Sequence, residues 1–332
     1  MRAIVVKSWL KGPDDLEVKD VPMPAPKDDE LLVRVDSVGA NFFDILTIQG
    51  KYQIKPPFPF IPGAEFSGTV VRAAVGDGRL KPGDRVFGST DSGAYAEYTS
   101  VPPQQCLPIP STLSFEQAAG LYITYPTSYA ALVLRAALRS GEWVLVHAAA
   151  GGVGVAALQI AKALGAKVIA AVGSDDKFGI CSAQGADHCV NYRDSAWTSK
   201  VLSLTGGRGV DIVIDPVGLV EKSLTCAAWN ARIVVVGFAA GTIEKIAANR
   251  ILLKNVAVTG VHWGAYAKNE PERVPEVWAA LFKMAERGQI APVVYDPVFS
   301  GLDRAKDALR AIASRATHGK VVVKPAETQP KL

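Results

Sequence analysis

The stretch WVLVHAAAGGVGVAALQIA, residues 143–161, decides the fold. Its first five residues, WVLVH, read as an apolar strand. The pattern then breaks at AAAGGVG (148–154), and an Ala-rich helical run follows to Leu164. Strand, glycine turn and helix are the context in which Ala149-x-Gly151-x-x-Gly154 reads as a dinucleotide-binding fingerprint, with Ala at the first glycine position. Lacking a side chain, Gly151 lets the backbone approach a pyrophosphate, and Gly154 allows close helix–strand packing. The helix N-terminus, with Gly152 and Val153, offers unpaired N–H groups and the positive end of a dipole to phosphate. A glycine-rich packing turn is the competing reading, and the strand–turn–helix setting weighs against it. The 19 residues are also long enough to span a bilayer. However, a segment that starts as a strand and breaks at paired glycines does not make one continuous helix, so no membrane span is expected.

Downstream the alternation continues. AKVIAAV (166–172), HCVNY (188–192), DIVID (211–215), RIVVVG (232–237) and NVAVTGV (255–261) are strand-like. Helical segments fall near 175–184, 195–204 and 219–228. Six strands with intervening helices imply a doubly wound parallel sheet of Rossmann type, because parallel strands need crossover connections. Upstream the texture is different. LLVRV (31–35), GTVVRAAV (68–75), KPGDRVFG (81–88) and YAEYTSV (95–101) are strand-like, with Pro and Gly between them, as in PPFPFIPG (56–63). These mark a compact β-rich domain. The tail has helices near 272–287 and 301–314 and a strand GKVVVKP (319–325), and is too short to stand alone. The expected division is therefore an α/β chain in two domains. Residues 1–124 and 263–332 form the β-rich domain, and residues 125–262 form an inserted nucleotide-binding domain. The terminal AETQPKL is expected to fray.

Bulk properties narrow the function. The 332 residues carry 36 basic and 32 acidic side chains, a net charge of +4, and no basic run of the kind that marks a nucleic-acid binder. Hydrophobic residues make up 49% of the chain, enough for a large core. The four cysteines, Cys106, Cys181, Cys189 and Cys226, form no CxxC pair, which fits a reduced, cytoplasmic protein.

Cofactor choice is read at the end of the second strand, where an NAD enzyme usually places a carboxylate for the ribose 2′-hydroxyl. Here the strand ends in Gly173-Ser174, with Lys177 one turn later. A small residue, a hydroxyl and an ammonium accept a 2′-phosphate that a carboxylate would repel. NADPH is therefore expected. Asp175 and Asp176 lie beside them and equally suit capping of the next helix.

Together GAEFSG (63–68), KPGDRV (81–86), AAAGGVG (148–154), GADHCVNYR (185–193), VVVGFAAG (234–241) and SRAT-x-GK (314–320) make the chain resemble, over nearly its whole length, the NADPH:quinone oxidoreductases. These are the zeta-crystallin-like, zinc-independent members of the medium-chain dehydrogenase/reductase superfamily. The resemblance implies a GroES-like catalytic domain beside the Rossmann domain, with the active site in the cleft between them. It also implies that Ser174, Lys177 and Tyr192 surround the adenosine 2′-phosphate and that Arg315, within SRAT, reaches the same phosphate. Asn41 and Thr127 would lie near the nicotinamide end, and Phe238 beside the nicotinamide.

The zinc enzymes of that superfamily carry Cys where Asn41 falls, Gly-His-Glu where Gly63-Ala64-Glu65 falls, and a four-Cys lobe. This chain departs from all three, so no metal is expected. Cys106 is a lone thiol, expected to be buried. Hydride transfer without a metal suits an acceptor needing little polarisation, such as a quinone. Tyr52, in the aromatic- and Pro-rich GKYQIKPPFPF, falls in the segment that borders the substrate in the family. Asn41 and Tyr52 are expected to orient the acceptor, neither being an obligatory acid. Two alternatives stand beside quinone reduction: an enone or alkenal reductase of the same family, and a crystallin-like NADPH-binding structural or RNA-binding protein. The uncharged strand NVAVTGV (255–261), placed at a sheet edge in the family, predicts a homodimer through the nucleotide domain.

Overall fold

In the computed structural model, residues 1–326 are described; of the AETQPKL tail, all but Ala326 lie outside them. The chain divides into two units, residues 1–122 with 292–332, and residues 123–291. The first unit begins with a small antiparallel pair, β1 (Arg2–Ile4) and β2 (Val18–Asp20). Next come β3 (Leu31–Ala40), the short helix α1 (Phe42–Ile48), β4 (Glu65–Arg72), β5 (Arg85–Ser89), β6 (Tyr98–Val101), β7 (Cys106–Pro108) and the single turn α2 (Phe115–Ala118).

The second unit opens with α3 (Thr124–Tyr129). It then alternates: β8 (Trp143–His147), α4 (Gly152–Ala163), β9 (Lys167–Val172), α5 (Phe178–Ala183), β10 (His188–Asn191), α6 (Trp197–Leu204), β11 (Val210–Asp215), α7 (Val220–Ser223), β12 (Ala227–Val235), α8 (Ala248–Lys254) and β13 (Ala257–Gly260). Two helices close it, α9 (Tyr266–Asn269) and α10 (Arg273–Glu286). The chain then returns to the first unit through β14 (Phe299–Ser300), α11 (Ala305–Ala313) and β15 (Val321–Lys324).

The second unit's sheet has strand order β10-β9-β8-β11-β12-β13, every neighbour parallel. This is the expected six-stranded doubly wound sheet, with order reversing beside β8. Val144, Leu145 and Val146 of β8 and Val168 to Ala171 of β9 are fully buried, as strands covered on both faces must be. In the first unit β3 is the hub: it pairs antiparallel with β4, β6 and β15, while β5 and β7 extend the sheet beyond β4. Its core collects Val33, Val38, Phe66, Val86, Val101 and, from the returning tail, Leu309, Val321 and Val323.

The structure departs from the sequence-based division in two places. Residues 263–291, expected to belong to the β-rich domain, pack in the sheet unit. Helix α10 buries Val277, Trp278 and Leu281 and lies against α3. In sequence the tail reads as one piece because it is too short to stand alone, but burying a large apolar side chain contributes roughly 1.5–3 kcal/mol, and the apolar face of α10 gains this against the sheet unit. The helix expected near 219–228 is one turn long. Val210 N donates to Cys226 O at 3.0 Å, so the chain already pairs with β11 there, and β12 starts at Ala227. Helix α8 buries none of its residues, which is why no apolar stripe announced it.

Candidate cofactor and acceptor sites

In the sheet unit, β8 ends at His147 and the chain turns through Ala148, held at φ +46°. Gly151 N donates back to Ala148 O at 2.9 Å and Gly151 caps α4. Val155 N, bonded to Gly151 O at 2.8 Å, is the first helical donor, so the N–H groups of Gly152, Val153 and Gly154 precede the helical ladder. A Cβ on Gly154 would stand 2.3 Å from Ala148 O and 2.6 Å from Ala149 Cα. Only glycine lets the helix close on the strand here. A Cβ on Gly151 would meet only Ala148 O, at 3.4 Å, and otherwise point into open space. A side chain there would fill this open space. Ala149 is fully buried, which explains why Ala replaces the first glycine without harm. Ser128 Oγ donates to Val153 O at 2.8 Å and pins α3 against this turn. The neighbouring Thr127 is half-buried, its hydroxyl donating to Ile123 O at 2.6 Å.

The end of β9 shows why no acidic residue stands at position 173. A Cβ on Gly173 would lie 3.1 Å from Tyr192 Oη and 3.3 Å from its ring, so the tyrosine occupies the space a carboxylate side chain would need. The Ser174 hydroxyl donates to Asp176, while Asp175 accepts from Asn191 Nδ2 at 2.8 Å. Neither aspartate caps a helix through its side chain. Partial burial lowers the pKa of the Lys177 ammonium; Asp176 and Cys181 oppose this, and the positive charge of Arg193 adds to it. Lys177 and Arg193 therefore gather positive charge beside Ser174 and Tyr192, an arrangement that a multiply charged anion stabilises. The sequence reading quoted the NYR segment but passed over Arg193. Phe238, in the loop after β12, is 41% exposed, and Gly218 faces its ring.

The first unit holds a buried polar network around Asn41, which caps α1 and is only 8% exposed. Its Nδ2 donates to Gly39 O at 3.0 Å and to Glu65 Oε1 at 3.2 Å, and its Oδ1 accepts from Lys320 Nζ at 2.6 Å. Lys320 also forms an ion pair with Glu65, and both side chains are buried. Asp44 Oδ2 accepts from Asn41 N at 2.8 Å and from Tyr95 Oη at 3.1 Å. Burial pushes the Asp44 carboxyl up to about 7, against the lowering effect of those bonds and of Lys320. Burial likewise holds the Tyr95 phenol well above its usual range, with Asp44 adding to it. Tyr52 is half-buried and stacks on Phe43, centroids 5.3 Å apart at 23°. Burial, then the charge of Asp44, raises its pKa.

Sequence reasoning missed Lys320. It sits in the quoted SRAT-x-GK segment, but nothing local says that this lysine turns inward. Arg315 is exposed and left-handed at φ +60°, just beyond α11. Cys106 is buried as expected, and burial pushes its thiol up to about 12. Among the described residues, no group of three or more His, Cys, Asp or Glu is disposed to hold a metal ion.

A β-rich unit with a glycine cradle on a separate doubly wound sheet defines the class, a medium-chain dehydrogenase/reductase. Residues 27–111 match the alcohol dehydrogenase GroES-like domain, and residues 152–283 match the family described as zinc-binding dehydrogenase. A quinone oxidoreductase-like protein 2 homolog from Nematostella vectensis is 40% identical over 298 residues, covering 89% of this chain and 81% of that protein. Quinone oxidoreductase from Homo sapiens is 36% identical over 300 residues, covering 89% of each. The crystal structure of Escherichia coli quinone oxidoreductase complexed with NADPH superimposes with a TM-score of 0.89 at 31% identity, covering 98% of this chain and 100% of that one. This chain belongs to the quinone oxidoreductase family of that superfamily.

Proposed function

We propose that this protein is an NADPH-dependent quinone reductase that works without a metal. The observation that carries the reading is the end of β9, where Tyr192 fills the carboxylate position and Lys177 and Arg193 concentrate positive charge. In this reading Ser174, Lys177, Tyr192 and Arg315 hold the 2′-phosphate. Ala149, Gly151, Gly152, Val153 and Gly154 receive the pyrophosphate, and Asn41, Thr127 and Phe238 flank the nicotinamide. Bound NADPH supplies a hydride, and with a proton from solvent the quinone becomes a hydroquinone. The chain's own task is then alignment and exclusion of water. The phenol of Tyr52, kept protonated by its raised pKa, donates a hydrogen bond that orients the acceptor oxygen. Lys320 and Glu65 hold Asn41 with both amide hydrogens engaged, so Asn41 shapes the site rather than moving a proton.

Steady-state kinetics with a benzoquinone tests this. Charge-assisted contacts contribute roughly 1.5–3 kcal/mol each, so two of them give NADPH about a hundredfold or greater advantage in kcat/KM over NADH. Turnover should persist after prolonged chelation. Equal use of the two cofactors, activity lost with a stoichiometric metal, or faster turnover of enones than of quinones would each reassign the function.

The same reading includes a cytoplasmic homodimer. No helix among the described residues is long and apolar enough to cross a membrane. Among the described residues no strand pairs with the outer edge of β13, and α8, which precedes it, leaves Leu252 and Leu253 more than 70% exposed. An edge of that kind, flanked by exposed leucines, suits twofold pairing. Light scattering at micromolar concentration should give twice the mass of one chain.

A further inference from the structure

We propose that Cys181 and Cys189 are an oxidisable dithiol that hydrogen peroxide or an organic hydroperoxide converts to a disulfide, weakening the binding of NADPH. The second half rests on the reading of Lys177 and Tyr192 as 2′-phosphate residues. Neither cysteine belongs to the cofactor or acceptor sites described above. Cys181 lies within α5, fully buried, and Cys189 lies in β10, half-buried. Helix and strand pack together, and only residues 184–187 connect them. Cys189 Sγ lies 3.7 Å from both Ser182 Oγ and Phe178 O, which places it against the turn of α5 that carries Cys181. Cys181, three residues after Phe178 and next to Ser182, shares that helix face, and each thiol shifts the other, Cys189 down and Cys181 up.

This arrangement separates the two roles that disulfide formation needs. The Cys181 and Ser182 side chains bring the Cys189 thiol down to about 7, and the residue is only half-buried. A half-exposed thiolate is the form that peroxides attack. Cys181 is driven well above the ordinary thiol range, so it stays protonated and waits. The Cys189 sulfur attacks one oxygen of hydrogen peroxide; the O–O bond breaks, hydroxide leaves (from an organic hydroperoxide alkoxide leaves, so that one alcohol replaces one of the two waters), and Cys189 becomes a sulfenic acid. The Cys181 sulfur then attacks the Cys189 sulfur. The S–O bond breaks, the S–S bond forms, and water departs with the Cys181 proton. Two thiols are oxidised and one peroxide is reduced to two waters. Cys106 and Cys226 are fully buried, and burial pushes both thiols up to about 12.

The position of the pair gives the oxidation a consequence. Cys181 stands one helical turn after Lys177, close enough for the two groups to act on each other. Cys189 stands three residues before Tyr192 on the strand whose Asn191 anchors Asp175. Drawing α5 onto β10 through an S–S bond therefore moves the segment that carries Lys177 relative to Tyr192. NADPH, which has the 2′-phosphate, loses contacts; NADH, which lacks it, does not.

Trypsin cleavage after Lys177 and Arg193 releases FGICSAQGADHCVNYR (178–193), which carries both cysteines and neither of the others. After peroxide, denaturation and alkylation, mass spectrometry should show this peptide short of two hydrogens and unalkylated. Dithiothreitol should restore both thiols, with Cys106 and Cys226 unchanged throughout. In Cys181→Ser, dimedone should trap a sulfenic acid on Cys189. Retention of both thiols, or oxygen added to Cys189 without a crosslink in the unmutated protein, overturns the proposal. By fluorescence titration, oxidation should raise the Kd for NADPH about tenfold or more, the loss expected for one charge-assisted contact, and leave the Kd for NADH unchanged. Cys189→Ser should abolish that response. Equal weakening of both cofactors overturns the coupling. Lys177→Ala in reduced protein separates the two ideas: if it does not discriminate NADPH from NADH, the phosphate reading fails, while the peptide result stands or falls independently.

Discussion

The glycine cradle of the sheet unit and the ion network of the β-rich unit handle charge in opposite ways. The cradle is contiguous in sequence, built mostly from main chain, and leaves the N–H groups of Gly152, Val153 and Gly154 before the helical ladder. The network gathers Asn41, Asp44, Glu65, Tyr95 and Lys320 from distant parts of the chain, and its polar side chains satisfy one another. A cradle that leaves donors open is ready for a ligand. A network whose donors and acceptors are already engaged specifies internal geometry and is intolerant of losing one member.

The largest effect should come from breaking the network. Lys320→Met takes the Lys320 ammonium away from the fully buried Glu65, and removing one partner of a buried pair costs about 3–5 kcal/mol. Urea denaturation should show this loss, and adding Glu65→Gln should recover part of it. A change under about 1 kcal/mol, the range of exposed pairs, would mean that the pair behaves like a surface one.

The cradle should respond differently. Gly154→Ala pushes a methyl group to 2.3 Å from Ala148 O, so the turn or the helix must move. Misplacement by about 1 Å costs on the order of a hundredfold, and here it should appear chiefly in the Kd for NADPH. Unchanged affinity with lost stability would instead make the glycine a packing device only.

Tyr52→Phe probes the acceptor side. One lost hydrogen bond lowers kcat/KM by roughly tenfold. The shape of the pH profile should stay the same, because Tyr52 orients and does not supply the proton. A loss of about four orders of magnitude together with a vanished pH limb would identify Tyr52 as the general acid.

The network also shapes the pH dependence of stability. Burial raises the folded pKa of Asp44 to about 7 from the ordinary aspartate value of 3.8. Below the unfolded value both states are protonated and the group contributes nothing. Between the two values only the unfolded state ionises, so stability falls as pH rises, and the fall ends above the folded value. The slope is at most about 1.4 kcal/mol per pH unit for one proton. Asp44→Asn keeps an oxygen for Asn41 N and Tyr95 Oη and should flatten stability between about pH 4 and 7. An unchanged slope in that window would show that Asp44 is ionised in the fold.

What the sequence determined by itself is local. The six-stranded sheet and the Ala149–Gly154 turn were legible because strand, glycine spacing and helix follow one another without a break, and each has a backbone reason. The absence of a carboxylate at position 173 was legible for the same reason. Tertiary structure alone decided which distant residues share a charge. Glu65 and Lys320 are 255 positions apart, since 320 − 65 = 255, yet they form one buried ion pair. Neither residue differs in type from the many exposed lysines and glutamates of the chain. The return of residues 263–291 to the sheet unit was illegible too, because a helix with one apolar face does not say which partner buries it. Hydrogen-bond satisfaction and burial depend on all neighbours at once, and those neighbours are brought together only by the completed fold.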